Sequence, residues 1–463
     1  MLEKASSAAR GVRLTLSRSI QRAAEGVAAE SMAAGCILIL EAGSGKVRAC
    51  VSRPGFDPAH VGESLTAPDS PLLNRALSAY AVGSVFKPVV AAAALEAGEG
   101  DFVRDCPGYD SRNGQVYRCA GSVPHGLVGL GGALEKSCNG YFIELGRRLG
   151  PERVRQMAAA LGFGKGQDIA AGLRASAGVL PEVETLENEG QFANFCFGQG
   201  ELLATPLQAA GMMNAIAAGG IYRTPLFVEC VVDEATGEEL APLAHGSARR
   251  VFSEETAKKL QDLLVGVVAE GTGQQAAPAE GTAAGKTGTA QTGQFREGEE
   301  LKNYWFAGFC PADRPRWTIV VMQDAQTEPE VSSAAVFARL CDALAAGVLR
   351  FCLLFWPGYV TIYLYLYVCI PKLTIKGAFS SMAVNEIVGG VILLVVSVAI
   401  FALTLMQHTH GQGLSGAING SAYGANNTRL TPADQMLAKV TRIAGVVFFV
   451  VAILACVFAS RLA

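Results

Sequence analysis

The chain has 463 residues, which is long enough for two or three domains with a substantial hydrophobic core. Its formal net charge is only −3, so the strongly basic surface typical of nucleic-acid-binding proteins is excluded. The twelve cysteines are scattered, without a Cys-x-x-Cys pair or a Cys/His cluster at the spacing of metal ligands. We therefore predict neither a metal site nor a cofactor.

The first part of the chain alternates short strands with helices. Residues 12–16 have the alternation of a strand, and residues 17–30 have the pattern of an amphipathic helix. Strand-like runs at 36–40 and 47–51 are joined by a Gly-Ser-Gly turn, which predicts a β-hairpin. The Pro-, Asp- and Ser-rich residues 54–83 are typical of a loop.

Predicted strands and helices continue to residue 350. Residues 101–126 are rich in Gly, Cys and Tyr, and they are predicted to be irregular. The other predicted elements are helices at 127–149, 205–218 and 253–270 and strands at 225–232, 284–292, 304–309 and 317–322. Strands at both ends of this region, with helices between them, predict an α+β domain with a mainly antiparallel sheet.

A Ser-x-x-Lys sequence, Ser84 to Lys87, precedes the apolar run 88–95. If the run is a helix, the two side chains share one face and lie one turn apart. A lysine amine removed from water can take the proton of a serine hydroxyl and make it a nucleophile. Because the four letters also fit a surface Ser and Lys on an ordinary helix, the prediction depends on the rest of the chain.

Two further polar sequences follow. Ser137-Cys138-Asn139 lies in a predicted helix and, taken alone, would be interpreted as a helix interruption with local side-chain caps. Lys286-Thr287-Gly288-Thr289 lies on a predicted strand, where Gly288 could simply allow close approach of another backbone. A phosphate-binding loop is excluded because position 280, which must be Gly in such a loop, is Glu.

Four nearby residues receive no catalytic role. His125 is predicted to be structural, since nothing pairs it with a carboxylate, and Cys138 is predicted to face away from its polar neighbours on a helix. Cys106 and Cys119 flank a loop and could either form a disulfide in an exported protein or remain free thiols.

The order and spacing of Ser-x-x-Lys, Ser-x-Asn and Lys-Thr-Gly resemble those of the penicillin-binding transpeptidases, a family of serine acyltransferases. The resemblance covers residues 9–350. Shorter matches are Leu14-Thr15, Gln21, residues 53–58, Asn74-Arg75-Ala76, His125-Gly126, Gly198-Gln199-Gly200, residues 205–208 and residues 305–308. The resemblance implies the transpeptidase and serine β-lactamase fold, with the site in a cleft between a helical part and a sheet flanked by helices.

The resemblance implies a reaction on peptidoglycan stem peptides. Ser84 would attack the carbonyl between two terminal D-alanines, Lys87 would accept its proton, and Ser137 would relay a proton to the leaving amine. The backbone N–H groups of Ser84 and Thr289 would form the oxyanion hole. An amine from a neighbouring strand would then resolve the acyl-enzyme and form a cross-link. β-Lactams would acylate the same serine.

The resemblance also implies the substrate-binding residues, which are Asn139, Lys286, Thr287, Gly288 and Thr289. Asn139 would hold a backbone amide of the substrate. Lys286 would supply positive charge near the terminal carboxylate, and the hydroxyls of Thr287 and Thr289 would donate to that carboxylate.

Two related functions remain as alternatives for residues 1–350, namely a β-lactamase and a β-lactam-binding sensor that is acylated without turnover. A transpeptidase is favoured because no carboxylate is evidently placed to activate a deacylating water and because residues 1–80 match the segment before the nucleophile. The family members closest in pattern carry an N-terminal membrane anchor and a pedestal domain. Residues 1–19 have no apolar core, so we expect the chain to begin partway into such a protein.

The end of the chain has a different composition, since charged residues become sparse after position 350. Apolar runs occupy residues 351–370, 387–406 and 443–460, and the first is interrupted by Pro357-Gly358. About twenty apolar residues span the hydrocarbon core of a bilayer, so the last two runs predict transmembrane helices. A polar, Gly-rich loop separates them.

Residues 386–461 resemble SecG, the two-helix subunit of the Sec protein-export translocon. The matching residues are Val388-Gly389-Gly390, Leu405-Met406-Gln407, Gly411, residues 413–417 and residues 437–441. The resemblance implies a membrane hairpin, with channel subunits of the translocon as partners. A non-catalytic translocase subunit is therefore a further alternative for the function of the chain.

The predicted domains are a transpeptidase domain at 1–350, a hydrophobic junction at 351–385 that matches neither family, and a SecG-like domain at 386–463. We predict a multi-pass protein of the cell membrane, in contact with lipid and without a nucleic-acid partner, whose catalytic domain lies outside the cytoplasm. The junction and the pairing of two unlike domains suggest an unusual fusion, or two adjacent genes read as one.

Overall fold

The computed structural model describes residues 10–112, 114–170, 172–242 and 248–355. The α-helices of this part are α1 (Arg18–Ser31), α2 (Val61–Ser64), α3 (Lys87–Glu96), α4 (Leu130–Glu135), α5 (Asn139–Leu149), α6 (Pro151–Ala160), α7 (Val183–Leu186), α8 (Glu189–Cys196), α9 (Pro206–Ala217), α10 (Glu254–Ala269) and α11 (Ser333–Phe355). Short 3-10 helices occur at Pro58–His60, Gly83–Phe86, Ala120–Ser122 and Gln274–Ala276.

The strands of the same residues are β1 (Arg10–Leu14), β2 (Gly35–Glu41), β3 (Val47–Arg53), β4 (Tyr80–Ala81), β5 (Arg104–Cys106), β6 (Tyr109–Arg112), β7 (Gln115–Arg118), β8 (Gly126–Val128), β9 (Gln167–Ala170), β10 (Leu173–Ala175), β11 (Leu203–Ala204), β12 (Ile221–Tyr222), β13 (Val228–Asp233), β14 (Glu239–Pro242), β15 (Arg249–Arg250), β16 (Ala284–Arg296), β17 (Glu299–Cys310) and β18 (Trp317–Gln326).

A five-stranded antiparallel sheet in the order β16-β17-β18-β2-β3 forms the centre of the fold. β2 and β3 form the predicted hairpin, with Ile37 opposite Val51. The pairing of β16 with β17 places Lys286 opposite Ala307. The predicted α+β class with a mainly antiparallel sheet is therefore confirmed.

Alternation along the strands gives the sheet a hydrophobic core on each face. Ile37 and Ile39 of β2 belong to a core that contains residues of α1 and α11, whereas Leu38 and Leu40 belong to the core that contains α3 and α9. Burial of each large aliphatic side chain contributes about 1.5–3 kcal/mol before the loss of conformational entropy is counted. The sheet is thereby held between two layers of helices.

The Ser-x-x-Lys segment lies where the helical part of the domain meets the sheet. β16 is an edge strand, and the 3-10 turn Gly83–Phe86 lies against it. The turn leads into α3, in which residues 87–94 are all buried among neighbouring helices. A helix that is apolar all round is typical of such a buried position.

Two predictions for residues 101–149 are wrong. The region predicted to be irregular contains β5, β6 and β7, and the helix predicted at 127–149 is divided into β8, α4 and α5. The break lies at Ser137, whose φ of 51° is in the left-handed region that disfavours side chains. Because the chain leaves the helical conformation there, Cys138 lies before α5, and its sulfur caps the N–H of Tyr141.

The described residues up to Gly347 form one compact unit, and those from Val348 to Phe355 belong to a second. The apolar runs predicted at 387–406 and 443–460, and the run at 351–370 beyond Phe355, lie outside the described residues. None of the described helices has the length and apolar character needed to cross a membrane. The domain boundary at 350 and the junction at 351–385 stay predictions.

Candidate active site

Ser84 lies in the 3-10 turn that precedes α3, and its side chain is partly exposed. Gly83 begins the turn with a φ of 62°, and its N–H donates to the carbonyl of Gly198 at 2.8 Å. A Cβ atom on Gly83 would lie 2.6 Å from the carbonyl oxygen of Thr289. Glycine is therefore required before Ser84, since only glycine fits both the conformation and the space.

Lys87 is fully buried, and its amine contacts the second polar sequence. The Nζ atom donates to the Ser137 carbonyl at 2.6 Å, to the Ser137 hydroxyl at 3.1 Å and to Oδ1 of Asn139 at 2.7 Å. The same atom lies 5.6 Å from the centre of the Phe142 ring. Burial lowers the pKa of Lys87 to about 7 because the charged form loses its hydration. Lys87 is thus poised to exchange a proton near neutral pH.

The Ser84 hydroxyl has no hydrogen-bond partner within the described part of the chain. Ser84 in the 3-10 turn and Lys87 at the start of α3 are nevertheless one turn apart, since the backbone N–H of Lys87 donates to the carbonyl of Ser84. Catalytic hydrogen bonds are often long or poorly aligned without substrate, and here the Lys87 amine donates to Ser137 and Asn139.

Ser137 and Asn139 are positioned by the break between α4 and α5. The backbone N–H of Ser137 donates to Leu134 at 3.2 Å, closing the last turn of α4. Nδ2 of Asn139 donates to the carbonyl of Arg118 at 2.8 Å, which fixes the amide so that its oxygen faces Lys87. The left-handed Ser137 residue therefore brings both polar side chains to the amine of Lys87.

Lys286 approaches Ser137 from the sheet. Its fully buried Nζ donates to the Ser137 hydroxyl at 3.1 Å and to the hydroxyl of Thr287 at 3.2 Å. The Thr287 hydroxyl also contacts that of Thr272 at 2.8 Å. Burial, followed by repulsion from Lys87, lowers the pKa of Lys286 well below its ordinary value.

Gly288 and Thr289 bring β16 close to the turn that carries Ser84. A Cβ atom on Gly288 would lie 2.9 Å from Cγ2 of Val85 and 3.0 Å from the carbonyl oxygen of Val82. This is the close backbone approach that the sequence left open as a reason for the glycine. Thr289 is exposed, so its side chain is open to a ligand.

The structure adds residues that sequence reasoning left without a role. Trp305 donates its indole N–H to the carbonyl of Ala81 at 3.0 Å, which ties β17 to the segment before Ser84. A Cβ atom on Gly198 would lie 2.0 Å from the carbonyl oxygen of Gly83. Thr272 and Phe142 carried no sequence signal, because their proximity to the lysines depends on tertiary packing alone.

One further group of side chains comes together beside this site. The sulfur atoms of Cys106, Cys119 and Cys138 and a ring nitrogen of His125 all lie within 4.8 Å of one another. The absence of metal-ligand spacing in the sequence is therefore a poor guide here, since the four residues converge through strand pairing and the break before α5. The three thiols are free in the structure.

Two family models match separate regions of the chain, which correspond to the two resemblances described above. Residues 35–342 match the family model described as penicillin binding protein transpeptidase domain. Residues 387–463 match the family model described as preprotein translocase SecG subunit. The two-part resemblance is therefore confirmed.

Curated relatives match the first of these regions. Stage V sporulation protein D of Bacillus subtilis is 35% identical over 292 residues, which cover 61% of this chain and 44% of the relative. Peptidoglycan D,D-transpeptidase PbpA of Mycolicibacterium smegmatis is 32% identical over 341 residues, which cover 68% of this chain and 67% of the relative. The chain spans about half the length of several of these relatives, 44% and 52% for the first two.

Solved structures share the fold. A ceftriaxone acyl-enzyme complex of penicillin-binding protein A from Mycobacterium tuberculosis matches with a TM-score of 0.64 and 28% identity, over 73% of this chain and 80% of the other. A D,D-transpeptidase domain of a peptidoglycan glycosyltransferase from Eggerthella lenta matches with a TM-score of 0.64 and 27% identity, over 74% and 83% of the two chains. The predicted transpeptidase fold is confirmed.

Proposed function

Since the chain belongs to the penicillin-binding protein transpeptidase family, we propose that it is a serine D,D-transpeptidase that cross-links peptidoglycan stem peptides. The observation that carries this proposal is the buried amine of Lys87, which contacts Ser137 and Asn139 one helical turn from Ser84. Relatives named peptidoglycan D,D-transpeptidases support the choice of substrate.

In the acylation step, the Ser84 oxygen forms a bond to the carbonyl carbon of the penultimate D-alanine. Neutral Lys87 accepts the hydroxyl proton, and the backbone N–H groups of Ser84 and Thr289 stabilise the oxyanion. Collapse of the tetrahedral intermediate breaks the peptide bond. Ser137 relays the proton from Lys87 to the departing D-alanine amine. The 3.1 Å hydrogen bond between the Lys87 amine and the Ser137 hydroxyl supports this role.

Substrate binding falls to the neighbouring polar groups. The carboxylate of the terminal D-alanine lies beside Lys286, Thr287 and Thr289, because a buried ammonium is stabilised when an anion pairs with it. Asn139 binds a backbone amide of the stem peptide. Gly288 allows β16 to run close to the turn that carries Ser84. In the second step an acceptor amine attacks the ester carbon, neutral Lys87 passes the amine proton to the Ser84 oxygen, and the ester C–O bond breaks as the cross-link forms.

β-Lactams are the second expected partner, because their carbonyl carbon lies in a ring that can acylate Ser84 in the same way. Solved relatives that form acyl-enzymes with ceftriaxone and imipenem support this expectation. A β-lactamase is disfavoured because, among the described residues, the hydrogen-bond partners of Lys87 and Lys286 include no carboxylate that could activate water.

A turnover assay tests the proposal directly. The full chain is incubated with a stem peptide that ends in D-Ala-D-Ala and with a D-amino acid as acceptor, and the products are separated by mass. We expect release of D-alanine and a peptide joined to the acceptor. Ser84→Ala should abolish both, whereas Ser44→Ala, in the exposed turn between β2 and β3, should leave both unchanged. Stoichiometric acylation without product would favour a sensor, and turnover of a cephalosporin would favour a β-lactamase.

For residues 386–463 we propose a SecG-like hairpin of two membrane-spanning helices, at 387–406 and 443–460, that contacts the Sec channel. The family match over 387–463 supports this part of the proposal. The catalytic domain at 1–350 would then lie on the extracytoplasmic side, where peptidoglycan is cross-linked. Copurification of the full chain with the channel subunit tests the export role. A chain in which only residues 386–463 act, as a non-catalytic translocase subunit, would copurify but would not turn over peptide.

A further inference from the structure

Four metal-ligating side chains converge next to the proposed active site. Cys106 ends β5, Cys119 follows β7, His125 precedes β8 and Cys138 precedes α5. Their ligand atoms all lie within 4.8 Å of one another. The three cysteines are buried and His125 is half-buried, so the cluster is largely removed from solvent.

The distances between the sulfur atoms match a shared tetrahedral ion. The Cys119 sulfur lies 3.8 Å from that of Cys106 and 3.9 Å from that of Cys138. Two thiolates at the usual zinc–sulfur distance, on adjacent corners of a tetrahedron, are about 3.8 Å apart. Because the cluster has three sulfurs, a disulfide between any two would leave one thiol and the imidazole unused.

The imidazole distinguishes this group from ordinary core packing. Three buried thiols can pack as small apolar side chains, but an imidazole nitrogen needs a partner. Nδ1 of His125 is buried and has no hydrogen-bond partner within the described residues. A buried nitrogen without a partner, on an imidazole ring that lies beside three sulfurs, is explained by a ligand that the four side chains share.

The backbone holds the four residues in place before any ion binds. The N–H of His125 donates to the carbonyl of Cys106, and the N–H of Cys119 donates to that of Gly108, both at 2.9 Å. The N–H of Cys138 donates to the carbonyl of Ala133 at 2.8 Å. The ligand set is therefore fixed by turns and strand pairing, and an ion would not have to assemble it.

We propose that Cys106, Cys119, Cys138 and His125 bind one zinc ion in a closed, four-coordinate structural site. Three thiolates and one imidazole are a common ligand set for structural zinc, and soft sulfur ligands disfavour magnesium or calcium. Binding releases the three thiol protons to solvent, and the neutral imidazole donates its lone pair.

The proposed ion is tied to the catalytic residues through Cys138, which lies between Ser137 and Asn139 in the chain. The Cys138 sulfur accepts the N–H of Tyr141 at 3.4 Å and so caps α5. A zinc ion on this sulfur would hold the start of α5, and with it the amide of Asn139 that contacts Lys87 at 2.7 Å. We therefore expect removal of zinc to slow acylation of Ser84 while leaving some acylation intact.

Metal content of the full chain tests the proposal. The reduced protein is stripped with a chelator, incubated with zinc chloride, separated from free metal and analysed by mass spectrometry for zinc. We expect one zinc per chain, and a cobalt-loaded sample should show the intense absorption of a tetrahedral thiolate complex. Cys119→Ser and His125→Asn should each weaken zinc binding by more than about 100-fold. Cys196→Ser, which replaces a buried cysteine outside the cluster, should not.

Cobalt absorption of the unaltered chain gives a result even if a variant fails to fold. The proposal is overturned if the reduced chain takes up no zinc and no cobalt, or if zinc content is the same in Cys119→Ser, His125→Asn and Cys196→Ser. Zinc content does not depend on the proposed transpeptidase activity. A chain that binds zinc but does not turn over peptide would therefore contradict the function and leave the metal site standing.

Discussion

The hydroxyl of Ser137 receives hydrogen bonds from two buried amines, Lys87 and Lys286, each at 3.1 Å. Two ammonium groups on one oxygen repel each other, and desolvation disfavours the charge on each. A substrate carboxylate beside Lys286 would favour the ammonium form of that residue. Its charge would then hold Lys87 neutral, so substrate binding would itself prepare the base for acylation.

Replacing Lys87 by methionine tests the proposed base. The substitution keeps a long side chain in the buried position but removes the amine, so the rate of acylation by penicillin should fall by about 10²–10⁴-fold. The melting temperature should fall little compared with this loss of rate, because the wild-type chain loses free energy by burying the amine away from water. Lys46→Met serves as the control. It removes a lysine that pairs with Glu229 and contacts none of the site residues in the described part of the chain. An unchanged acylation rate in Lys87→Met would rule out this role.

The acylation rate should also depend on pH through Lys87. Since burial lowers the pKa of Lys87 to about 7, its amine is protonated below that pH and neutral above it. Only the neutral amine accepts the Ser84 proton, so the rate should rise as the pH passes through about 7 and then level off. Stopped-flow measurement with a chromogenic cephalosporin gives the profile. A rate that falls over this interval would contradict the assignment.

At the scale of elements, the turn that carries Ser84 depends on close approaches of three backbone segments. Gly83 approaches Thr289 of β16, and Gly198 approaches Gly83 from the loop after α8. These contacts leave no room for a Cβ atom, so the glycines fix the distance between the helical part and the sheet. The site geometry therefore depends on glycines that take no part in the chemistry.

Gly198→Ala should distort this geometry, since the new Cβ would lie 2.0 Å from the carbonyl oxygen of Gly83. Gly98→Ala is a matched control. Gly98 has a similar φ of 76°, against 82° for Gly198, but nothing lies within 4 Å of its Cβ position. The control should cost about 1 kcal/mol of unfolding free energy from backbone strain alone. Gly198→Ala should cost more in denaturant titration and should slow acylation. Equal effects of the two substitutions would contradict a structural role for the close approach.

The sequence predicts elements whose causes are local. Pro206 begins α9, and Thr205 and Gln208 form a capping box there, so its start is readable from neighbouring letters. The break between α4 and α5 is different. Ser137 adopts a left-handed conformation while its carbonyl accepts a hydrogen bond from Lys87, 50 residues earlier. A contact of that range leaves no local signal, so a continuous helix was the wrong prediction.

The candidate site also has a part that the sequence predicts and a part that depends on long-range contacts. The three motifs give the identities and order of the polar residues, and the structure brings Lys87, Ser137, Asn139, Lys286 and Thr287 together as expected. The sequence did not predict the group of Cys106, Cys119, His125 and Cys138, because Cys106 and His125 meet only through the pairing of β5 with β8. Spacing along the chain does not encode that pairing.

At the scale of the whole molecule, the chain joins two families whose activities differ. The transpeptidase match ends at residue 342 and the SecG match begins at 387. The proposed arrangement places the first region outside the cytoplasm and residues 387–406 and 443–460 in the membrane. An unusual fusion, or two genes read as one, remains our hypothesis for this pairing, and a single full-length transcript and protein in cells would contradict the two-gene version.

The topology can be tested with protease added to intact spheroplasts. The proposal predicts that the full chain sediments with membranes and that external protease removes the penicillin-labelled domain. The same treatment after lysis gives the control for protease activity. A labelled domain that is protected until the cells are lysed would place the catalytic part in the cytoplasm and contradict the arrangement.

Acylation of Ser84 is tested by fluorescent-penicillin labelling of membranes that contain the full chain, followed by denaturing electrophoresis. We expect a labelled band at the chain mass of 48.3 kDa that is lost in Ser84→Ala and kept in Ser44→Ala. Such a result would establish one polypeptide acylated at Ser84. A chain that is present and folded but carries no Ser84-dependent label would contradict the role of Ser84 as the nucleophile.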